Sequence, residues 1–253
     1  MIPYIEIPTM QLWGSITVQP FGVLVAMGCI AGAITARWHA ISCGLDTRRF
    51  SSLLAWTLIA GFLLSHIVVL LFYYPERLSF SVDLLNIGKG MSSFGGFFGG
   101  ALGAVIFLRY HRLPVLAYGD ALLLGLTVGW FFGRLGCSIA HDHPGLPSDF
   151  ILAVDYPTGS RHDLGFYEWL FTIGLNVLIF AIRPNELRPG VLTGLICVLY
   201  APVRFMLDFL RVGDKLYYGL TPGQYFAVVL LIAGVSVLVL AIKQPHKEPG
   251  RFP

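Results

Sequence analysis

Apolar residues along the chain gather in seven sustained runs, at 21–37, 52–73, 94–108, 118–135, 166–182, 191–210 and 225–242, and the segments between them are rich in Pro, Gly and charge. Runs of this size suit a helix that crosses the ~30 Å hydrocarbon core of a bilayer, which takes about 20 residues. The expectation is an all-α integral membrane protein of about seven transmembrane helices. Seven spans in 253 residues leave little chain for a separate soluble domain. No low-complexity tract or internal repeat intervenes, so 1–253 reads as one polytopic membrane domain whose longest polar segment is the loop 136–165.

Composition agrees: 56% of residues are hydrophobic and only 12% charged, far from a soluble domain. The formal charge of +3 is scattered, with no basic run or aromatic-rich basic stripe, which excludes a nucleic-acid partner. Its use is in orientation. With the N-terminus outside, the inner segments hold ten basic residues, Arg37, Arg48, Arg49, Arg109, Arg112, Arg183, Arg188, Lys243, Lys247 and Arg251. The outer ones hold five, Arg77, Lys89, Arg161, Arg211 and Lys215. The positive-inside rule then sets the N-terminus and the 136–165 loop outside and the C-terminus in the cytoplasm. Residues 1–20 carry Glu6 and no Lys or Arg, unlike the basic start of a cleavable signal peptide, so the first span is expected to stay as an anchor. Of four cysteines, Cys29 and Cys197 fall in spans and Cys43 in a short loop; the spacing fits no disulfide scaffold and predicts free thiols.

Two charges interrupt the spans. Arg134 ends the fourth and Arg204 lies inside the sixth, where a guanidinium at helix centre costs roughly 2.5–3.5 kcal/mol on insertion scales. Such residues face protein or a wet cavity, either as structural ion pairs and head-group anchors or as a fork of donors for a phosphate. The third span carries Gly95, Gly96, Gly99, Gly100 and Gly103, a small-residue ladder. It predicts close helix packing or, alternatively, bare backbone that admits a lipid head group.

Polar chemistry concentrates in four stretches. Gly133-Arg134-Leu135-Gly136-Cys137 leads to His141-Asp142-His143, with paired glycines that free the backbone to bend. Arg161-His162-Asp163 precedes Tyr167-Glu168. Tyr200, Arg204, Asp208 and Arg211 follow i, i+4, i+8, i+11 spacing and share one helix face. Gly219-Leu220-Thr221-Pro222-Gly223-Gln224 turns into the last span.

Taken in order over about 19–234, these motifs resemble the prolipoprotein diacylglyceryl transferase family. Gly90-Met91-Ser92 with Gly95-Gly96 is similar to that family's glycine-rich third span, and Gly133-Arg134-Leu135-Gly136 to the opening of its signature. Arg161-His162 with Tyr167-Glu168, Tyr200…Arg204-Phe205…Asp208…Arg211, and Gly223-Gln224 complete the series. The resemblance implies a bacterial inner-membrane, multi-pass enzyme of lipoprotein biosynthesis. It implies transfer of diacylglyceryl from phosphatidylglycerol to the lipobox cysteine of a prolipoprotein signal peptide, with release of glycerol phosphate. No cofactor or metal is implied. Arg134 and Arg204 would hold the phosphate and Tyr200 would support them. Arg161, Arg211, Gly95, Gly96, Tyr167, Glu168 and Asp208 would complete the substrate site.

The chain departs from the family pattern at several of these places. Phe94 stands where the family carries a histidine, Cys137 and Ala140 stand for asparagines, His141-Asp142 for Gly-Glu, Asp163 for proline and Gly165 for glutamine. Asp208 shortens an acidic side chain, and a second-span basic residue is absent, with Leu63 and Leu64 in its place and His66 nearby. Displacement by a thiol still needs a base, and His141 or His143, oriented by Asp142 or Asp163, is expected to take that role. Two other readings stay open. Cys137, His141, His143 and His162 or Asp163 could ligate a metal, or the protein could be a non-catalytic or altered-acceptor lipid-binding paralogue.

Overall fold

The computed structural model describes residues 1–5, 7, 10–13, 16–72, 92–214 and 216–243. Glu6, Arg77, Lys89, Gly90, Met91, Lys215, Lys247 and Arg251, to which the sequence assigned orienting charge or a motif position, lie outside the described residues.

Each apolar run forms a helix: α1 (Pro20–Ser42), α2 (Phe50–Phe72), α3 (Ser93–Tyr110), α4 (Val115–Ala140), α5 (Leu164–Ala181), α6 (Val191–Leu207) and α7 (Pro222–Lys243). Among the described residues six are long and apolar enough to cross a membrane, and α3 adds a shorter apolar helix over Phe94–Tyr110. The faces turned away from the protein are apolar, with Ile30, Ile34, Leu63, Val177, Val229 and Ile232 all exposed, as suits a hydrocarbon surround. α1 packs on α4, α2 on α3, α6 on α7 and α4 on α5.

Small residues permit these contacts. A methyl built on Gly95 would lie 2.6 Å from the Leu64 carbonyl oxygen and 2.8 Å from Ser65 Cα, so the α2–α3 approach requires glycine there. α1 and α4 meet along a similar seam, in which Gly28 faces Gly129 and Gly32 faces Gly125. One apolar core, with Phe50, Leu53, Leu108 and Tyr118, fills the end of the bundle farthest from the arginines, and a second, with Leu124, Ile179 and Leu192, lies between α4, α5 and α6.

Two results correct the sequence expectations. Gly133 and Gly136 do not bend the backbone; α4 runs through both to Ala140 and stops at His141, which takes the left-handed conformation at φ 49°. Helical hydrogen bonding closes around the glycines because lipid offers the backbone no other partner. The polar loop therefore begins at 141 and not at 136. It carries a small sheet. β4 (Pro144–Pro147), β5 (Val154–Tyr156) and β6 (Gly159–Asp163) form an antiparallel set, and β1 (Ile2–Pro3) adds in parallel to β5, in the order β1-β5-β6-β4. A second small pairing joins β2 (Met10–Trp13) to β3 (Ile16–Val18).

The helix ends are held by specific caps. Asp163 opens α5, its Oδ1 accepting the Phe166 N–H at 2.9 Å. α7 opens on Thr221-Pro222-Gly223-Gln224. The Gln224 N–H donates to Thr221 Oγ1 at 3.1 Å and the Thr221 N–H to Gln224 Oε1 at 2.9 Å, a reciprocal capping box with proline at the first helical position. α6 is capped from outside itself: Asp120 of α4 accepts the Gly190 and Thr193 N–H groups, both at 2.7 Å, and the Thr193 hydroxyl at 2.6 Å.

Candidate active site

Three helices deliver charge to one buried point beneath the sheet. Arg134 comes from the last turns of α4, Glu168 from the second turn of α5, and Tyr200 and Arg204 from consecutive turns of α6. Glu168, 1% exposed, lies between the arginines: Arg134 Nε meets its Oε2 at 2.8 Å, and Arg204 donates from Nη1 to its Oε1 at 2.6 Å. The Tyr200 hydroxyl donates to the same Oε2 at 3.4 Å. Two guanidinium groups at this depth need counter-charge, and removing one partner of such a pair typically costs about 3–5 kcal/mol. Arg204 takes a second carboxylate, Nη2 to Asp208 Oδ1 at 2.8 Å. The two arginines are thus jaws already bridged by a carboxylate.

Asp208 connects this centre to α7. Its Oδ2 accepts the Thr221 hydroxyl at 2.5 Å, so the capping threonine of α7 holds the acid that holds Arg204. Space for this comes from Gly223, where an added Cβ would lie 2.0 Å from Asp208 Oδ2 and 2.9 Å from Phe94 Cζ. Arg211 follows the short 3-10 turn at Asp208–Leu210, so the four-residue helix face expected from spacing ends at Asp208. Arg211 Nε stands 3.4 Å from Asp208 Oδ1 and 3.6 Å from Asp214 Oδ2, and its backbone bridges Gly145 of the sheet.

Aromatic rings wall the centre. Phe94 lies under the Arg204 guanidinium at 5.5 Å and packs on Phe226 at 5.1 Å. Trp130, one turn below Arg134 on α4, stacks on Phe97 at 4.5 Å, meets Tyr200 edge to face at 5.0 Å and lies 5.2 Å from the Arg134 guanidinium carbon.

Above this, the two histidine–aspartate pairings that the sequence offered as alternatives occur together. His141 Nδ1 donates to Asp163 Oδ2 at 2.7 Å, and the Tyr156 hydroxyl donates to the same oxygen at 3.0 Å. Burial first, and then the Asp163 carboxylate, hold the Tyr156 phenol well above the ordinary tyrosine range. Tyr4, carried in by β1, packs on the His141 ring at 4.7 Å. His143 instead pairs with Asp142 and lines a cavity of about 420 Å³ together with Tyr156, Arg161, Leu164 and Arg211. Arg161 also donates to the Gly145 carbonyl at 3.2 Å, and the Tyr167 hydroxyl shares a hydrogen bond with His162 Nδ1 at 2.8 Å.

Donor atoms of Cys137, Asp142 and His143 lie within 4.8 Å of one another. His141 and His162 are engaged by Asp163 and Tyr167, so only Cys137 and His143 of the ligands expected from spacing come together, and Arg134 Nη1 stands 3.9 Å from Cys137 Sγ. A guanidinium so close opposes a cation at that thiol. Gly95 and Gly96 face α2, where a methyl built on Gly96 would lie 3.9 Å from Ser65 Cβ.

A family model described as prolipoprotein diacylglyceryl transferase matches residues 8–240. The chain belongs to that family. It is accordingly a multi-pass membrane transferase of lipoprotein biosynthesis. The chain is similar to proteins named phosphatidylglycerol--prolipoprotein diacylglyceryl transferase. That of Chromohalobacter salexigens is 29% identical over 259 residues, covering 97% of this chain and 96% of its own. That of Nitrobacter winogradskyi is 32% identical over 204 residues, 74% and 69% of the two chains, and that of Ehrlichia canis 27% over 236 residues, 85% and 90%.

Two features of this transferase escaped the sequence. Asp120 belongs to none of the sequence motifs, although a carboxylate within an apolar run signals a partner in the bundle. The sharing of Glu168 by both arginines could not be read from spacing, because the three residues come from three helices.

Proposed function

We propose that this transferase moves the diacylglyceryl group of phosphatidylglycerol onto the lipobox cysteine of a prolipoprotein in the bacterial inner membrane, with the sheet face of the bundle outside. The observation that carries the reading is the pair of buried arginines on either side of Glu168, near the sheet end of the bundle, where a lipid phosphate resides. The excess of basic residues on the opposite side supports the orientation, with the N-terminus outside and the C-terminus cytoplasmic.

The cysteine sulfur attacks the lipid glycerol carbon that bears the phosphate, forming a carbon–sulfur bond as the carbon–oxygen bond breaks and glycerol phosphate leaves with the electron pair. Arg134 and Arg204 stabilise the charge that develops on the leaving phosphate, with Tyr200 and Asp208 holding their geometry. A thiol of pKa about 8.5 must lose its proton on attack. His143 is the base in this reading. Asp142 fixes its Nδ1, which leaves Nε2 to accept, and it opens on the cavity with Arg161 and Arg211. His141, packed between Tyr4 and Tyr156, is a positioning residue that ties the end of α4 to the start of α5. Gly95 and Gly96 serve the α2–α3 contact.

The test is mass spectrometry of a lipobox peptide incubated with the purified protein and phosphatidylglycerol. The peptide is expected to gain one diacylglyceryl group, and Arg134→Lys or Arg204→Lys to slow that gain by roughly 10²–10³-fold. Binding of the lipid with no gain in mass overturns the transferase reading in favour of a lipid-binding paralogue.

A further inference from the structure

Trp130 has a fully buried indole Nε1–H with no hydrogen-bond partner among the described residues. A tryptophan in a membrane protein ordinarily sits at the interface and turns its N–H to water or head groups. Here the ring is fixed by Phe97 on one face and by Tyr200 at 5.0 Å, so the donor is held inside the site with no acceptor among the described residues. An unpaired donor in a fixed place beside bound charge calls for an explanation, and an incoming ligand atom is the simplest.

Trp169 also has an indole N–H without a partner among the described residues, but its ring neighbours are Phe131 and Phe166. Trp130 is the one beside Arg134, at 5.2 Å. It precedes Arg134 by four residues on an unbroken helix, which sets it one turn, about 6 Å, closer to the middle of the bundle. The polar layer of each leaflet is only about 5–7 Å deep. Within it the acyl ester carbonyls of a phospholipid lie just beneath the phosphate, whereas the free hydroxyls of the glycerol head group lie beyond the phosphate, toward water. A phosphate held at Arg134 and Arg204 therefore brings an ester carbonyl, and no head-group hydroxyl, to the depth of the indole.

We propose that Trp130 Nε1–H donates a hydrogen bond to an acyl ester carbonyl of the donor lipid and so selects diacyl over dialkyl glycerophospholipids. This rests on the transferase reading above. It adds a determinant at the acyl linkage to the phosphate clamp proposed above.

The experiment compares phosphatidylglycerol with its diether analogue, which lacks both carbonyls. In the purified wild-type protein kcat/KM for the diester is expected to exceed that for the diether by roughly 3–10-fold, the worth of one hydrogen bond, and Trp130→Phe, which keeps the stack on Phe97, to bring the ratio close to one. An equal ratio in wild type and variant overturns the proposal. A second measurement needs no folded variant: the indole N–H resonance of Trp130 in detergent is expected to move downfield with the diester and to stay in place with the diether. Identical behaviour with the two lipids, or no response to either, overturns it. Wild-type protein that transfers neither lipid counts against the transferase reading, and the resonance then decides the Trp130 assignment by itself.

Discussion

A histidine becomes a base or a brace according to what it faces. His141 and His143 stand two residues apart, each with its Nδ1 on an aspartate, yet His141 is closed in by Tyr4 and Tyr156 while His143 opens on the cavity. The expected outcome is that His143→Gln lowers kcat by roughly 10²–10⁴-fold with little change in KM for the lipid. His141→Gln is expected to lower the midpoint of thermal unfolding in detergent while the folded fraction keeps its turnover. Steady-state kinetics and an unfolding scan on both variants check this, and a reversal of the two phenotypes would exchange the roles. Sequence offered both histidines and both aspartates because the stretch 141–143 lies in one turn of chain; only the position of Asp163 at the start of α5 decides which pair is enclosed. Phe94 was legible as a departure from the family pattern, but its place beneath the Arg204 guanidinium was not.

Elements in this bundle are tied together by side chains that cap a neighbour's backbone. Thr221 caps α7 and donates a hydrogen bond from its hydroxyl to Asp208, and Asp120 of α4 caps α6 through three hydrogen bonds. Backbone N–H groups left open at membrane depth find no water, so such a cap is worth more than its surface equivalent. Asp120→Ala is expected to destabilise the protein by about 2–3 kcal/mol, and Thr193→Val, which removes one of the three bonds, by about 1 kcal/mol, read from unfolding in detergent. Equal losses would show that the cap acts through Thr193 alone. All seven helices were legible because apolar runs of this size have few other solutions. The sheet was not. Its strands are two to five residues long, contain Pro, Gly and charge, and include a pair, Ile2 with Val154, that no local pattern links.

At the scale of the molecule the sheet marks one end of the bundle, and the proposed orientation, argued from charge, puts that end outside. Cysteine labelling tests the orientation. In a variant lacking Cys43, Ser148→Cys on the sheet face is expected to react with a membrane-impermeant maleimide added to intact cells, and Asp46→Cys between α1 and α2 only after permeabilisation. The opposite pattern inverts the topology. Spacing along the chain could not foretell that the motif stretches would meet, since the site draws on α3, α4, α5, α6 and α7 at once. The pairing of β1 with β5 has its own consequence for how the protein comes to be made. Residues 2 and 3 leave the ribosome before α1 to α4, and their partner strand follows only after those four helices have been synthesised. The cap over the site is therefore a contact of high sequence separation, which pays its loop-closure entropy late, so closure of this end reports that the first four helices are already in place.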